Sequence, residues 1–134
     1  ALDHSEVSIA ATSKRNHGDI VTKRMDVVLG DVSSLPFEDS VFDLATAFET
    51  VYFWPGPIAS FKEVCRVLRP GGIFMIVNES DGEDGAEEKW SKTIDGLHVY
   101  DKLELIHGLK EAGFSEFSID HDQSRHWLCV IARK

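Results

Sequence analysis

The sequence predicts an α/β domain with a largely parallel sheet. An antiparallel pair of strands at the C-terminus is expected to complete this sheet. Apolar, strand-like runs alternate with helix-like periodic segments through the middle of the chain. Two strand-like runs then follow each other directly at its end. No repeat, low-complexity tract or linker divides the 134 residues. A single domain over 1–134 is therefore expected.

The first half of the chain alternates polar, helix-capping residues with short apolar runs. Ser5 is a good helix N-cap and Gly18 a natural helix stop. Pro36 and its polar neighbours indicate a loop between two apolar runs. The predicted elements are a helix over 5–16, a strand over 25–29, a loop over 33–40 and a strand over 42–48.

The second half has stronger helix and strand signals. Pro57 suits the first turn of a helix, and the segment Arg69–Gly72 (RPGG) is expected to end that helix. The apolar run that follows predicts a strand covered on both faces. The acidic stretch 79–96 is expected to be a solvated loop or a lid. The predicted elements are a helix from 57 to 68, a strand over 73–77, a helix over 100–112, a half-exposed strand over 114–119 and a strand over 127–132.

The late helix is predicted to end at Gly113. Its inward positions are expected to be Leu103, Leu105, Ile106, Leu109 and Ala112.

Composition narrows the classes of partner. Fourteen Lys and Arg against 23 Asp and Glu give a formal net charge of -9, and the basic residues are scattered. This balance argues against nucleic acid as a partner. No apolar run reaches the roughly 20 residues that span a bilayer, so no membrane partner is expected. One long-range disulfide between Cys65 and Cys129 stays open, but two buried thiols in a reducing, cytoplasmic compartment are favoured.

Acidic residues follow the predicted strands. In open α/β sheets, ligands bind at the carboxyl ends of the strands. Asp3, Asp31, Glu49 and Glu79 lie at or next to such ends. Carboxylates accept hydrogen bonds from vicinal hydroxyls and exocyclic amines, and they attract cationic ligands. These strand ends are therefore the candidate binding site.

Several segments together resemble a known family. They are Gly30–Phe37 (GDVSSLPF), Phe42–Leu44 (FDL) and Glu63–Gly72 (EVCRVLRPGG), followed by a buried strand. In this order they look like the class I S-adenosylmethionine-dependent methyltransferases that act on small molecules. Lys110–Phe114 (KEAGF) resembles the family's late helix-to-strand segment. The resemblance extends from residue 3 to residue 134 and implies a Rossmann-like methyltransferase sheet.

The resemblance implies S-adenosylmethionine as the cofactor. It assigns Asp3 to the ribose hydroxyls and Asp31 to the adenine amine, with the amide of Val32 facing the adenine ring. Ala47, Phe48 and Glu49 match the segment that lines the methionine portion of the cofactor. The region 79–100 matches a variable insertion that often covers the substrate.

One part of the family pattern has no counterpart in these residues, namely the glycine-rich loop after the first strand. Gly71 and Gly72 do not replace it, because they precede a strand rather than follow one. The resemblance therefore implies a domain without its first strand and first helix, in which residues 1–3 are the end of the second strand. Strand edges left unpaired in this way predict self-association.

The leading functional hypothesis is methyl transfer to a small-molecule acceptor, and no metal is expected to take part. The alternative is a catalytically silent fragment, or a binding or assembly domain. A nicotinamide-dependent dehydrogenase is disfavoured, because neither a glycine fingerprint nor a YxxxK pair is present. The catalytic residues stay unknown; Glu49 and His98 are weak candidates for a base. Asp43 is expected to be structural, and the aromatic cluster 52–54 to pack in the core.

Overall fold

The structure, a computed structural model, describes residues 1–90, 92–94 and 96–134. A single-turn 3-10 helix spans Val51–Phe53. The helices are α1 (Glu6–Arg15), α2 (His17–Val21), α3 (Pro57–Val67), α4 (Ala86–Trp90) and α5 (Lys102–Glu111), and the strands are β1 (Leu2–Asp3), β2 (Val28–Leu29), β3 (Phe42–Phe48), β4 (Leu68–Asn78), β5 (Glu116–Asp122) and β6 (Trp127–Arg133).

The strands form a four-stranded sheet in the order β3-β4-β6-β5 and a two-stranded sheet of β1 and β2. β3 runs parallel to β4, with Phe48 opposite Val77, whereas β6 is antiparallel to both β4 and β5. β1 and β2 are also parallel. This arrangement confirms the predicted α/β class and the antiparallel C-terminal pair. Among the strands described, none pairs with the edge of β3 that faces away from β4.

Helices α3 and α5 cover one face of the larger sheet. Phe74 and Ile76 of β4 point into this core and are at most 1% exposed. The ring of Trp54 stacks on that of Phe74 with centroids 5.9 Å apart, so part of the cluster 52–54 packs in the core. Further core residues are Phe61, Val64, Leu105, Leu109, Phe114, Leu128 and Val130.

The opposite face of the larger sheet is partly open, so the prediction of cover on both faces is wrong for the part of the chain described. Leu44 is 54% exposed, Phe48 55% and Trp127 47%. The apolar pattern is present on both faces, but α3 and α5 lie on one of them. Helices α1 and α2 bury no residue; α1 contacts β1, β2 and α2.

The N-terminal elements differ from the prediction in their boundaries. Ser5 caps α1 as expected, because its side chain accepts a hydrogen bond from the Ser8 amide at 3.3 Å. The prediction that Gly18 stops this helix is wrong. Helix α1 ends before Asn16, whose amide side chain donates to the Thr12 carbonyl at 2.9 Å, and Gly18 lies inside α2. The strand predicted over 25–29 is shorter, Val28–Leu29.

The segment Arg69–Gly72 lies within β4 instead of ending the helix. Helix α3 ends at Val67, and Leu68 is already extended. The ladder passes from Phe42 opposite Leu68 to Leu44 opposite Ile73, so the extra residues bulge out of β4. A Cβ on Gly72 would lie 2.8 Å from the Arg69 carbonyl oxygen, so this bulge requires a glycine.

Helix α5 begins with a reciprocal capping box between Asp101 and Glu104. Leu105, Leu109 and Ala112 are buried as predicted, but Leu103 is 67% exposed, so its inward placement is wrong. The positive φ of Gly113 confirms the helix stop.

The stretch predicted as a solvated loop begins buried, with Ser80 at 7% and Asp81 at 3% exposure, because both are hydrogen-bonded into the fold. Ser91 and Asp95 of that stretch lie outside the described residues. Cys65 is buried and Cys129 half-buried, and both are free thiols, as favoured. No helix in the described part of the chain is long and apolar enough to cross a membrane.

Candidate functional site

The carboxyl ends of β1 and β2 bring Asp3 and Asp31 to the same edge of a sheet. Asp3 lies opposite Leu29, and the Gly30 amide donates to the Asp3 carbonyl at 3.0 Å. The Asp3 Oδ1 accepts from the Ser5 amide at 2.8 Å. Its Oδ2 has no protein hydrogen bond among the described residues. The parallel pairing of β1 and β2 thus brings the two carboxylates to one edge of this small sheet.

Asp31 is held in a tight turn. Its Oδ1 accepts from both the amide and the hydroxyl of Ser33, each at 2.7 Å. The Ser33 hydroxyl is the largest cause that lowers the pKa of Asp31, followed by the Ser33 amide, and the nearby His4 adds a smaller contribution. Asp31 is therefore ionised, and its Oδ2 has no hydrogen bond to a described residue.

The loop after Asp31 is fastened to α3. Val32 packs against the hydrophobic core. The Leu35 amide donates to Glu63 Oε2 at 2.9 Å, and the Arg66 guanidinium donates to the Leu35 and Phe37 carbonyls at 3.0 and 2.8 Å. Glu63 and Arg66 also pair with each other at 2.8 Å. Sequence reasoning missed this anchor, although the one-turn spacing of an acid and an arginine beside a loop was a signal for it.

The ends of β3 and β4 are tied together through Glu49. Glu49 adopts a left-handed backbone conformation, and its Oε1 accepts from the Glu79 amide at 2.6 Å. Burial is the main cause that raises the pKa of Glu49, and the charge of Glu79 adds to it, although the Glu79 amide acts against both. Ala47 is buried at 3% on the core face and Phe48 is exposed on the other. These residues therefore follow one another along the chain without sharing one face.

Tyr52 joins this end of the sheet to the segment after β4. Its ring is buried, and its hydroxyl oxygen accepts from the Ser80 amide at 3.2 Å. Burial, and then the charge of Glu49, raise the pKa of the Tyr52 phenol. Ser80 in turn donates from its hydroxyl to Asp84 at 2.7 Å. Tyr52 is therefore a packed, neutral residue that fixes the start of the segment.

A cavity of about 460 Å³ opens at the carboxyl ends of β3 and β4. Asn78 borders it fully buried, yet neither its amide oxygen nor its nitrogen has a hydrogen-bond partner in the described part of the chain. Asp3 and Asp31 do not line this cavity, so the two groups of predicted residues form separate sites in this structure. The other lining residues are Phe48, Glu49, Val77, Glu79, Asp120, Asp122, Trp127, Leu128 and Cys129.

His98 lies between two carboxylates. Its Nδ1 is 3.1 Å from Glu87 Oε1, and its Nε2 is 3.5 Å from Glu104 Oε1. Because both ring nitrogens face carboxylates, His98 is placed to hold Glu87 and Glu104 together rather than to act as a base. Across the described residues, no set of three or more His, Cys, Asp or Glu side chains is arranged to hold a metal ion. Asp43 pairs with Arg69 at 2.7 Å, in line with a structural role.

The chain has relatives among known proteins. A family model described as a methyltransferase domain matches residues 1–76. Sterol 24-C-methyltransferase from Schizosaccharomyces pombe is 30% identical over 122 residues, which are 81% of this chain and 31% of that protein. Cycloartenol-C-24-methyltransferase 1 from rice is 33% identical over 114 residues, 82% of this chain and 31% of that protein. The chain thus spans about a third of the length of these curated relatives.

Solved structures share the fold. The [4+2]-cyclase SpnF superposes with a TM-score of 0.83 at 21% identity, covering 99% of this chain and 65% of that one. A SAM-dependent methyltransferase from Thermotoga maritima, described as a possible histamine N-methyltransferase, superposes with a TM-score of 0.76 at 21% identity, covering 99% and 71%. At this identity the likeness establishes the fold, which is the Rossmann-like methyltransferase fold.

The residues present fit the nucleoside part of the family's cofactor. Asp3 and Asp31 each keep one carboxylate oxygen without a described partner, and oxygens of this kind accept hydrogen bonds from hydroxyls and amines. Both lie in the segment that the family model matches, as do Val32, Ala47, Phe48 and Glu49. The chain belongs to the methyltransferase domain family, whose cofactor is S-adenosylmethionine.

Proposed function

We propose that this chain binds S-adenosylmethionine and supports transfer of its methyl group to a small-molecule acceptor. One observation carries the proposal. The paired ends of β1 and β2 hold Asp3 and Asp31 at one edge, each with one oxygen engaged by the serine two residues later. The turns orient both carboxylates before any ligand arrives, and such preorganisation reduces the cost of binding.

Each residue has a role in this proposal. Asp3 accepts from the ribose hydroxyls and Asp31 from the adenine amine, while the Val32 amide donates to the adenine ring. Phe48 and Glu49 line the methionine portion, next to Ala47. The cofactor supplies an activated methyl group, so the protein contributes positioning and electrostatics.

The relatives support a small molecule as the acceptor. Their names specify sterol and cycloartenol, and another relative, UbiE from Roseobacter denitrificans, is named for ubiquinone and menaquinone biosynthesis. All these names refer to apolar small molecules. The net charge of -9 further disfavours a nucleic acid substrate.

Calorimetric titration of the 134-residue chain with S-adenosylhomocysteine tests the binding site. We expect saturable binding. Asp31→Asn keeps an oxygen for the Ser33 hydrogen bonds but loses the charge, and we expect about a tenfold loss of affinity, since a hydrogen bond to a charged group is worth roughly 1.5–3 kcal/mol. Asp31→Ala should lose more. Glu38→Gln, an exposed substitution in the same loop, is the matched control. Unchanged affinity in both Asp31 variants removes Asp31 from the site.

A second candidate function is a catalytically silent binding or assembly domain. The outer edge of β3, which pairs with none of the described strands, and the open apolar face with Leu44 and Phe48 favour it. For such a chain, we expect calorimetry to show no saturable binding of S-adenosylhomocysteine, although circular dichroism shows that the chain is folded. It would also self-associate as concentration rises in sedimentation, because exposed edges and apolar faces pair with copies of themselves.

A further inference from the structure

The cavity at the carboxyl ends of β3 and β4 has a floor that extends across all four strands of the larger sheet. Phe48 of β3 lies opposite Val77 of β4, and Cys129 of β6 lies opposite both Val77 and Asp120 of β5. Residues opposite one another in a sheet share a face, and successive residues of a strand point to opposite faces. Val77 follows the core residue Ile76, so this row lies on the open face, away from α3 and α5.

Aromatic side chains form part of this floor. Trp127 is two residues before Cys129 on β6, so it lies on the same face, opposite Asp122. Phe48 is 55% and Trp127 47% exposed, and both line the cavity. Exposed rings of this size gain from contact with a planar apolar ligand. The cavity volume of about 460 Å³ is that of a site for one small molecule.

The lining is acidic as well as aromatic. Of the described residues around the cavity, four are acids and none is Lys, Arg or His; the acids are Glu49, Glu79, Asp120 and Asp122. The carboxylates of Glu79 and Asp120 make no hydrogen bond or ion pair to a described residue. A concave surface that carries charges of one sign concentrates ligands of the opposite sign. The cavity therefore attracts cations.

Neighbouring groups respond to this negative charge. Burial is the largest cause that raises the pKa of Glu49, and the charge of Glu79 adds to it. Burial also raises the pKa of the Cys129 thiol, and the charge of Asp120 adds to that effect. Glu79 and Asp120 thus disfavour any further negative charge in the cavity, and they favour a positive one.

A cation of the chain itself already occupies one part of this surface. The guanidinium carbon of Arg125 is 5.2 Å from the centre of the Trp127 ring, and Nε of Arg125 is 3.7 Å from Asp122 Oδ2. An aromatic ring and a carboxylate here hold a positive group together. Because Arg125 pairs with Asp122, a ligand's cation is expected beside Glu79 and Asp120 instead.

We infer that this cavity is the acceptor subsite and that the acceptor is an arylalkylamine. Its aromatic ring lies on Phe48 and Trp127, and its ammonium group lies beside Glu79 and Asp120. The inference rests on the proposed function where it calls this ligand the acceptor. The ammonium group anchors the acceptor and is not the nucleophile, because a protonated nitrogen has no lone pair. The cofactor's methionine portion is assigned to the end of β3, so the acceptor lies next to it, over β4, β6 and β5.

The test compares three probes that share an indole ring and differ in charge: tryptamine is a cation at about pH 7, tryptophol is neutral and indolepropionate is an anion. Each is titrated into the isotope-labelled chain, and the readout is the indole N–H signal of Trp127, identified by its loss in Trp127→Phe. We expect tryptamine to bind saturably, at least about fivefold more tightly than tryptophol, and indolepropionate to bind most weakly. Added salt should reduce this preference. The signal of Trp90, which is 45% exposed and outside the lining, should not shift.

A charge-neutralised variant assigns the preference to the cavity. The double variant Glu79→Gln and Asp120→Asn keeps the size of both side chains and removes both charges. We expect it to bind tryptamine and tryptophol with similar affinity. The double variant Glu38→Gln and Glu111→Gln makes the same change in net charge at two exposed acids outside the lining. This matched control should keep the wild-type preference.

The outcomes separate this inference from the proposed function. Equal affinity for the three probes overturns the inference, and so does a preference for tryptamine that persists in the variant at Glu79 and Asp120. A Trp127 signal that responds to no probe, with self-association in sedimentation, would mean that a second copy of the chain covers this face and would also overturn it. S-adenosylhomocysteine binding, measured on the same samples, tests the proposed function alone and should persist in that variant.

Discussion

The N-terminal unit, residues 1–30, and the four-stranded sheet with its helices are stabilised in different ways. None of residues 1–30 is buried, and both strands of that unit span two residues. The sheet instead carries a core in which Leu68, Ile76, Leu105 and Val130 are fully buried. Asp3 and Asp31, the proposed nucleoside-binding residues, thus lie at the end of the thinly packed unit, where a bound ligand would add most to order. A site in such a region is expected to gain rigidity on binding.

The largest effect expected from this contrast is on stability. Phe74→Ala removes a ring that contacts Trp54, Phe61 and Phe114, and should lower the free energy of unfolding by about 3–5 kcal/mol. Val7→Ala, at a position 80% exposed on α1, should change it by less than about 0.5 kcal/mol. Urea unfolding followed by circular dichroism measures both. Equal losses would mean that the N-terminal unit carries as much of the core as the sheet.

This contrast also explains what could be predicted from sequence. The helix from Pro57 and the strands over 42–48 and 127–132 carry dense apolar patterns, and their packing in the core matches those patterns. The sequence predicts that the first helix ends at Gly18, but the hydrogen bond from the Asn16 side chain to the Thr12 carbonyl ends it two residues earlier. Local residue preferences do not decide which of two neighbouring residues ends a helix. The predicted boundaries of helices and strands thus differ from the structure in the N-terminal unit, where no side chain is buried.

The site divides in the same way. The positions of Asp3 and Asp31 followed from strand ends and from the family resemblance, because both depend on residues close in sequence. Asp81 lies 2.7 Å from His121 and 3.1 Å from His126, which are 40 and 45 residues further along the chain, and no spacing rule indicates these contacts. The open face of the larger sheet was not predictable either, since an apolar strand pattern does not tell which helices cover it.

An intermediate effect is expected where the two regions meet. Arg66→Met removes the guanidinium that holds the Leu35 and Phe37 carbonyls and leaves Glu63 without its partner. The loop that carries Asp31 and Val32 should loosen, and affinity for S-adenosylhomocysteine should fall several-fold, because the ligand must now order the loop. Hydrogen exchange at the Leu35 amide should become faster. Lys62→Met, in the same helix, is the control. Unchanged affinity with faster exchange would show that the loop does not position the site.

The smallest effect concerns Glu49, on the sheet side of the comparison. Its folded-state pKa is raised above the unfolded value, chiefly by burial, so its protonated form favours folding at acid pH and that contribution is lost as pH rises through the folded pKa. At neutral pH the charged form is a small cost. Glu49→Gln keeps an oxygen for the Glu79 amide and removes the charge, so it should be more stable than wild type at about pH 7, by less than about 1 kcal/mol.

Near pH 4, where wild-type Glu49 is largely protonated, the two proteins should unfold at nearly the same urea concentration. Unfolding midpoints across this range, with Glu38→Gln as the exposed control, measure the difference. If Glu49→Gln were less stable than wild type at neutral pH, then charged Glu49 would be stabilised by its surroundings. The residues at the cavity end of the sheet would then already compensate the negative charge of Glu49. That charge would no longer be a reason to place a cationic ligand beside Glu49.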